Sequence, residues 1–226
     1  MLNFKGRHFE KIIILQSIRW YCAYGLSYRD IEELMAERGI HVDHSTINRW
    51  VMRYAPELEQ KFRRKHKRSV GSSWRADETY IKIKGVWHYL YRAVDKSGAT
   101  IDFLLTKKRN KAAALQFFKK SIKHCGLPKK VAIDKSPSNN KALKHIKVNL
   151  TQAKQFLIRQ VKYLNNIVEQ DHRFIKKRVR PTLGFKSFSS AQSTIAGIEL
   201  HHMLRKNQHQ SREKMTIFQQ FYNLAA

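Results

Sequence analysis

Between Phe103 and Val168 the chain carries sixteen lysines and arginines and a single acid, Asp134, and Glu169 follows directly. A carboxylate isolated in so cationic a stretch adds nothing to solubility, which the surrounding charge already supplies. It is better suited to hold something the cations also attract, and the simplest candidate is a divalent metal acting on a phosphodiester. Upstream, Trp74 to Ile83 alternates with a period of two. Arg75, Asp77, Thr79, Ile81 and Ile83 share one face of that strand, and Ala76, Glu78, Tyr80 and Lys82 the other. Asp77 therefore sits on the face of Ile81 and Ile83, which makes it a better site candidate than Glu78. Mg2+ is a hard cation that takes oxygen ligands, and two ions about 3.5–4 Å apart can activate an attacking oxygen and stabilise a leaving one. Asp77, Asp134 and Glu169 are the candidate catalytic and metal-ligating residues, with Glu78 and Asp171 as competing acids. Each acid taken alone reads more readily as a surface salt-bridge partner; the acid-free span, the strand face and the order of elements taken together favour a shared metal site.

These carboxylates need elements to bring them together. Gly85 turns the first strand into a second, Val86 to Val94, and Asp95 to Gly98 form a hairpin turn into a third, Thr100 to Thr106. Ala112 to Cys125 follows as an amphipathic helix stopped by Gly126 and Pro128. Val131 to Ile133 is a short buried strand ending at Asp134, and a helix from about Asn139 to Ile146 comes next. Val148 to Lys162 is expected to be a connection with some helix. Tyr163 to Val179 returns to helical spacing, with a stripe of Leu164, Ile167, Val168, Phe174, Ile175 and Val179. Glu169 flanks that stripe, and Arg173 and Lys176 project on its side, while Asp171 lies far round the helix. A helix over Ser190 to Arg205 and a polar end complete the chain. Three strands, a helix, a strand ending in Asp and a later helix bearing Glu is the order of the ribonuclease H-like fold used by polynucleotidyl transferases.

The N-terminal part has helical spacing throughout: Phe9 to Tyr24 stopped by Gly25, then a helix capped by Ser27 with Asp30 three residues on, ending at Gly39. A third helix runs from His44 through Tyr54 and is expected to end at Pro56. Its exposed Ser45, Thr46, Asn48, Arg49 and Arg53 suit the second helix of a helix-turn-helix, placed in the major groove. A plain three-helix bundle with a solvated polar face is the competing reading. Lys61 to Arg68 (KFRRKHKR) and the Gly-Ser-Ser after Val70 read as a basic linker. The expected organisation is a helix-turn-helix domain over 1–60, a linker over 61–73, a mixed-sheet α/β catalytic domain over 74–210 and a tail over 211–226.

The 226 residues carry a formal charge of +28, and 42% of them are hydrophobic, enough to build cores. That much charge repels itself unless an anionic partner neutralises it, and its spread from Lys61 onward favours nucleic acid over a membrane surface. Cys22 and Cys125 have no zinc-ligand spacing and read as buried thiols; His172, His201 and His202 read as structural or phosphate-facing. No apolar run suits a signal peptide or a transmembrane helix, which points to the cytosol.

The text WRADETYIKIKGVWHYLYRAVDKSG, VAIDKSPSN, KYLNNIVEQDHRFIKKR, TLGFKSF and GIEL, with LSYRDIEELMAERGI and DHSTINRWVMRYAP before it, closely resembles bacterial insertion-sequence transposases of the DDE superfamily, in the IS-six branch. The resemblance implies that Asp77, Asp134 and Glu169, the last two separated by 34 residues, are the catalytic triad and bind two Mg2+ ions, with Mn2+ an acceptable substitute. It implies that Lys176 contacts the element's end and that the helix-turn-helix recognises terminal inverted repeats. It further implies 3′ end cleavage, strand transfer into target DNA, replicative movement through a cointegrate, a homodimer or larger synaptic assembly, and action at the bacterial nucleoid. A non-catalytic DNA-binding relic of such an element is the alternative.

Overall fold

The computed structural model describes residues 2–4, 6, 8–151, 155–161, 166–180, 184–210 and 215–225. The chain divides into two compact units, Met1–Arg68 with Phe174–Ala226, and Ser69–Arg173.

The first unit is helical. It opens with α1 (Lys11–Ala23), α2 (Tyr28–Ala36) and α3 (His44–Lys65). Ser27 and Asp30 start α2 as a reciprocal cap: the Asp30 backbone N–H donates to Ser27 Oγ at 3.1 Å, and the Ser27 N–H donates to Asp30 Oδ2 at 2.7 Å. At the start of α3 the Asp43 carboxylate accepts from the Ser45 N–H at 2.8 Å. The expected stop at Pro56 is overturned, because the helix passes through it to Lys65. A proline inside a helix costs about 3 kcal/mol. Leu58 and Phe62, about half a turn and nearly two turns beyond it, are wholly buried, and each contributes about 1.5–3 kcal/mol by leaving water. Residues 61–65, read as linker, are consequently the last turn of α3.

The remaining helices of this unit are α7 (Phe188–Arg205) and α8 (Ile217–Asn223). Their Leu200, Met203, Leu204, Phe221 and Leu224 share one core with Ile14, Ile18, Ile31, Ile47, Trp50, Tyr54, Leu58 and Phe62. The compact units thus cut the chain differently from the expected boundaries at 60, 73 and 210. Residues 215–225 are not a polar tail either, since Phe221 and Leu224 are fully buried; residues 211–214 lie outside the described residues.

The second unit holds a five-stranded sheet in the order β3-β2-β1-β4-β5. Its strands are β1 (Ser73–Ile83), β2 (Val86–Asp95), β3 (Thr100–Thr106), β4 (Lys130–Ile133) and β5 (Leu157–Gln160). β2 runs antiparallel to β1 and β3, while β4 is parallel to β1 and β5 parallel to β4. This is the expected ribonuclease H-like arrangement. The crossovers carry α4 (Lys111–Cys125) and α5 (Pro137–Val148), as parallel neighbours require. One core takes in Trp74, Ala76, Tyr91 and Ala93 from the sheet with Phe117, Phe118 and Leu143 from the helices. β5 corrects the expectation for Val148 to Lys162: a four-residue strand with Leu157 59% exposed has too little alternation to be seen in sequence. Helix α6 (Asn166–Val179) carries Glu169. Tyr163 and Leu164 of its expected first turn lie outside the described residues. Cys22 is buried as expected, but Cys125 is only half-buried. Among the described residues no helix is long and apolar enough to cross a membrane.

Candidate active site

Asp77 and Asp134 meet because their strands are neighbours in register. β1 and β4 run parallel with Ala76 opposite Ile133, so Asp77 and Asp134 are the next residues along each chain. Asp134 leaves the sheet there, and its Oδ1 accepts the Ser136 N–H at 3.0 Å, shaping the turn into α5. Ligand oxygens of Asp77, Glu78 and Asp134 all lie within 4.8 Å of one another. Burial pushes the Asp77 carboxyl up, the Glu78 charge pushes further, and Asp134 and Glu169 add to it against a backbone hydrogen bond from Glu78; Asp77 ends at about 7. Three carboxylates at one point, one of them raised to about 7 by burial first and by its acidic neighbours second, form a locus of negative charge with hard oxygen donors. A divalent cation fits that donor set.

Glu78 is in the cluster but otherwise engaged. Its carboxylate is ion-paired with Arg109, whose Nη2 also reaches Asp134 Oδ2 at 3.9 Å, and it accepts from Asn139 Nδ2 at 2.9 Å. Its side chain is 2% exposed, against 35% for Asp134. Arg109 and Asn139 escaped sequence reading: the first looks like one more cation in a basic turn, the second like a helix-starting polar residue.

Glu169 stands apart from that three-carboxylate group. It is exposed near the start of α6, close enough for its charge to act on Asp77. Two residues on, Asp171 is buried and pairs with the wholly buried Arg92 at 2.6 Å. Arg92 is the cross-strand partner of Asp77 and so shares its face of the sheet. His172 follows, buried, with Nδ1 3.9 Å from Asp77 Oδ2, which is an ionic approach and not a hydrogen bond. Arg173 and Lys176 are exposed along α6.

The candidate DNA-reading residues of α3 are arranged as a helix surface. Ser45, Asn48, Arg49 and Arg53 are exposed and Thr46 half-buried. Arg49 Nη2 donates to Thr46 Oγ1 at 2.6 Å, and Arg53 lies 3.9 Å from Glu57 and over the Tyr54 ring. Ser45 and Asn48 line a cavity of about 620 Å3 whose other walls include Ser27, Tyr28 and residues 184–187.

A family model described as a DDE domain matches residues 71–208, which include Asp77, Asp134 and Glu169, and one described as the transposase IS66 family matches residues 9–128. The transposase for insertion sequence-like element IS431mec of Staphylococcus aureus is 45% identical over 211 residues, covering 93% of this chain and 92% of the relative. The transposase for insertion sequence element IS257 in transposon Tn4003, also of Staphylococcus aureus, is 44% identical over the same shares. Among solved structures, the HTLV-2 integrase catalytic core domain in complex with magnesium (trimeric form) aligns with a TM-score of 0.45 and 17% identity, covering 58% of this chain and 86% of that one.

Proposed function

The chain belongs to the DDE transposases of bacterial insertion sequences, and from that premise we propose that it cuts the 3′ ends of its element and joins them to target DNA at one site built on Asp77, Asp134 and Glu169. The observation that carries this reading is the convergence of Asp77 and Asp134 on adjacent parallel strands, with Asp77 pushed to about 7. Asp77 and Asp134 would hold a pair of Mg2+ ions, or Mn2+ in their place, with Glu169 completing the shell of the second. Bound there, the cations supply Lewis acidity at the attacking and the leaving oxygen.

The chain's own residues do the rest. In the first step water forms a bond to the scissile phosphorus and the bond to the 3′ oxygen breaks, leaving a 3′ hydroxyl on the element. In the second that hydroxyl attacks a target phosphodiester and displaces a target 3′ oxygen. One bond forms and one breaks each time, so a single constellation serves twice. Arg109, bridging Glu78 and Asp134, screens the repulsion between those two carboxylates and offers a cation to the incoming phosphate. Arg173 and Lys176 position the ends, and Ser45, Thr46, Asn48, Arg49 and Arg53 read the terminal inverted repeats. The organisation that goes with this function is DNA reading by the helices of residues 1–60 and chemistry by the sheet between 74 and 210, in a dimer or larger synaptic complex at the nucleoid. Movement is replicative, fusing donor and target.

The test is strand joining with purified protein, a labelled duplex carrying the element's end, supercoiled target plasmid and Mg2+, alongside Asp134→Asn and Glu169→Gln. Joined product from wild type alone, with all three proteins shifting the end in a gel, supports the reading. If none joins while all bind, the chain acts as a DNA-binding relic and the catalytic assignment falls.

A further inference from the structure

β1 and β2 extend past the carboxylates as a hairpin closed by Lys84-Gly85, both left-handed with φ of 49° and 79°, the two-residue turn that suits the strands' twist. Tyr80 pairs with Tyr89 and Lys82 with Trp87 across it. With Glu78 and Tyr91 these form one face, since directly opposed residues project the same way. Beyond Glu78 the face is open: Tyr80 is 47% exposed and Trp87 56%, with Tyr89 half-buried between them and the core. The rings touch in a chain, Tyr80 to Tyr89 at 5.4 Å and Tyr80 to Trp87 at 6.1 Å in an edge arrangement, with Lys82 Nζ 5.7 Å from the Trp87 ring. No Asp or Glu occurs between Glu78 and Asp95, while Lys82 and Lys84 lie within the hairpin and Lys107 and Lys108 follow β3 beside Tyr89.

Clustered exposed aromatics mark an interaction surface. Interleaved cations and the absence of acids choose the partner: ring faces stack unpaired bases in any sequence while lysines take the phosphates. A protein partner would leave those lysines to be matched by its own acids, whereas DNA is already the substrate at the carboxylate cluster, whose Glu78 lies two residues from Tyr80 on the same face of β1. Asp77 itself, about 10 Å from Tyr80 along β1, projects from the opposite face of the sheet. We propose that the Tyr80–Tyr89–Trp87 face of the hairpin is a stacking platform for unpaired nucleotides of the DNA next to the carboxylate site. This rests on the transposase reading and adds to it that the duplex is held open beside the bond that is cut.

The experiment measures binding of the full chain by fluorescence anisotropy in EDTA, so that chemistry plays no part. The probes are dye-labelled oligothymidine and a fully paired duplex of equal length. Trp87→Ala and Tyr80→Ala should each weaken oligothymidine binding at least about five-fold, leave the duplex within about two-fold, and be rescued at position 87 by Trp87→Phe. Equal losses on both probes, no loss on oligothymidine, or a change of sedimentation showing that the patch holds a second copy would each overturn the proposal. Strand joining that fails with wild type would remove the catalytic reading and leave this binding result as it stands.

Discussion

The wholly buried Arg92 guanidinium on β2 holds the Asp171 carboxylate of α6 at 2.6 Å, directly opposite Asp77 in the β1–β2 ladder. Breaking a buried pair from one side costs about 3–5 kcal/mol, whereas replacing both members by apolar residues of similar volume is often neutral. Asp171→Ala should lower the urea-unfolding free energy by about that amount, and Arg92→Met with Asp171→Leu should recover most of it. A single variant within 1 kcal/mol of wild type, as judged from the roughly linear urea dependence, would mean that the pair does not pin α6.

Glu78 and Asp134 share a cluster, yet Arg109 and Asn139 already occupy Glu78. Mn2+ binding followed by electron paramagnetic resonance should therefore weaken at least about ten-fold in Asp134→Asn and much less in Glu78→Gln. The reverse order would make Glu78 the ligand and move the site to the other face of β1.

Arg49 is exposed on α3, while Lys65 closes that helix. Arg49→Ala should cost about 1–3 kcal/mol on the inverted repeat and far less on random duplex, and Lys65→Ala should weaken both alike and lower the salt slope by about one. Equal loss on both DNAs in Arg49→Ala would withdraw base reading from that residue.

Burial, reinforced by Arg19, Arg205, Arg178 and His202, pushes His201 down to about 3. The unfolded chain takes up this proton near pH 6.5 and the folded chain resists it. Stability is then complete above about pH 6.5 and lost as the pH falls toward 3, by up to about 1.4 kcal/mol per unit. His201→Gln should flatten this acid limb in urea midpoints collected from pH 7 to 4. An unchanged slope would assign it to other groups.

A methyl on Gly197 of α7 would fall 2.3 Å from Cys22 Sγ and 3.0 Å from Ala55 Cβ. Gly197→Ala should cost about 1–3 kcal/mol by overpacking, and adding Cys22→Ala should return part of it. Thermal unfolding of the two variants decides, and an unchanged midpoint in Gly197→Ala would show that α7 can slide.

Much of this was legible in the residues themselves. Asp77 announced itself through the period of two around it, and Asp134 through its isolation at the end of Val131-Ala132-Ile133; a local pattern suffices when a strand buries alternate side chains. Arg109 and Asn139 lack any such signature, because what makes them part of the site is closeness across the fold to Glu78. Pro56 misled for a related reason: its local preference to end a helix is outweighed by Leu58 and Phe62, whose burial depends on core partners far along the chain. β5 was invisible because four residues on a sheet edge carry too little pattern, and α8 because seven residues span barely two turns, too few to show a helical period.

The joint core of α1–α3 with α7 and α8 bears on how such an element decays. A chain interrupted after residue 173 would retain every strand of the sheet with Asp77, Asp134 and Glu169, yet α1–α3 would lack Leu200, Met203, Leu204, Phe221 and Leu224 from their core. Nonsense and frameshift lesions in the downstream quarter of the reading frame therefore strip the core of α1–α3 while sparing the acids, so under the DNA-reading role proposed for α3 a damaged copy loses its aim before it loses its blade.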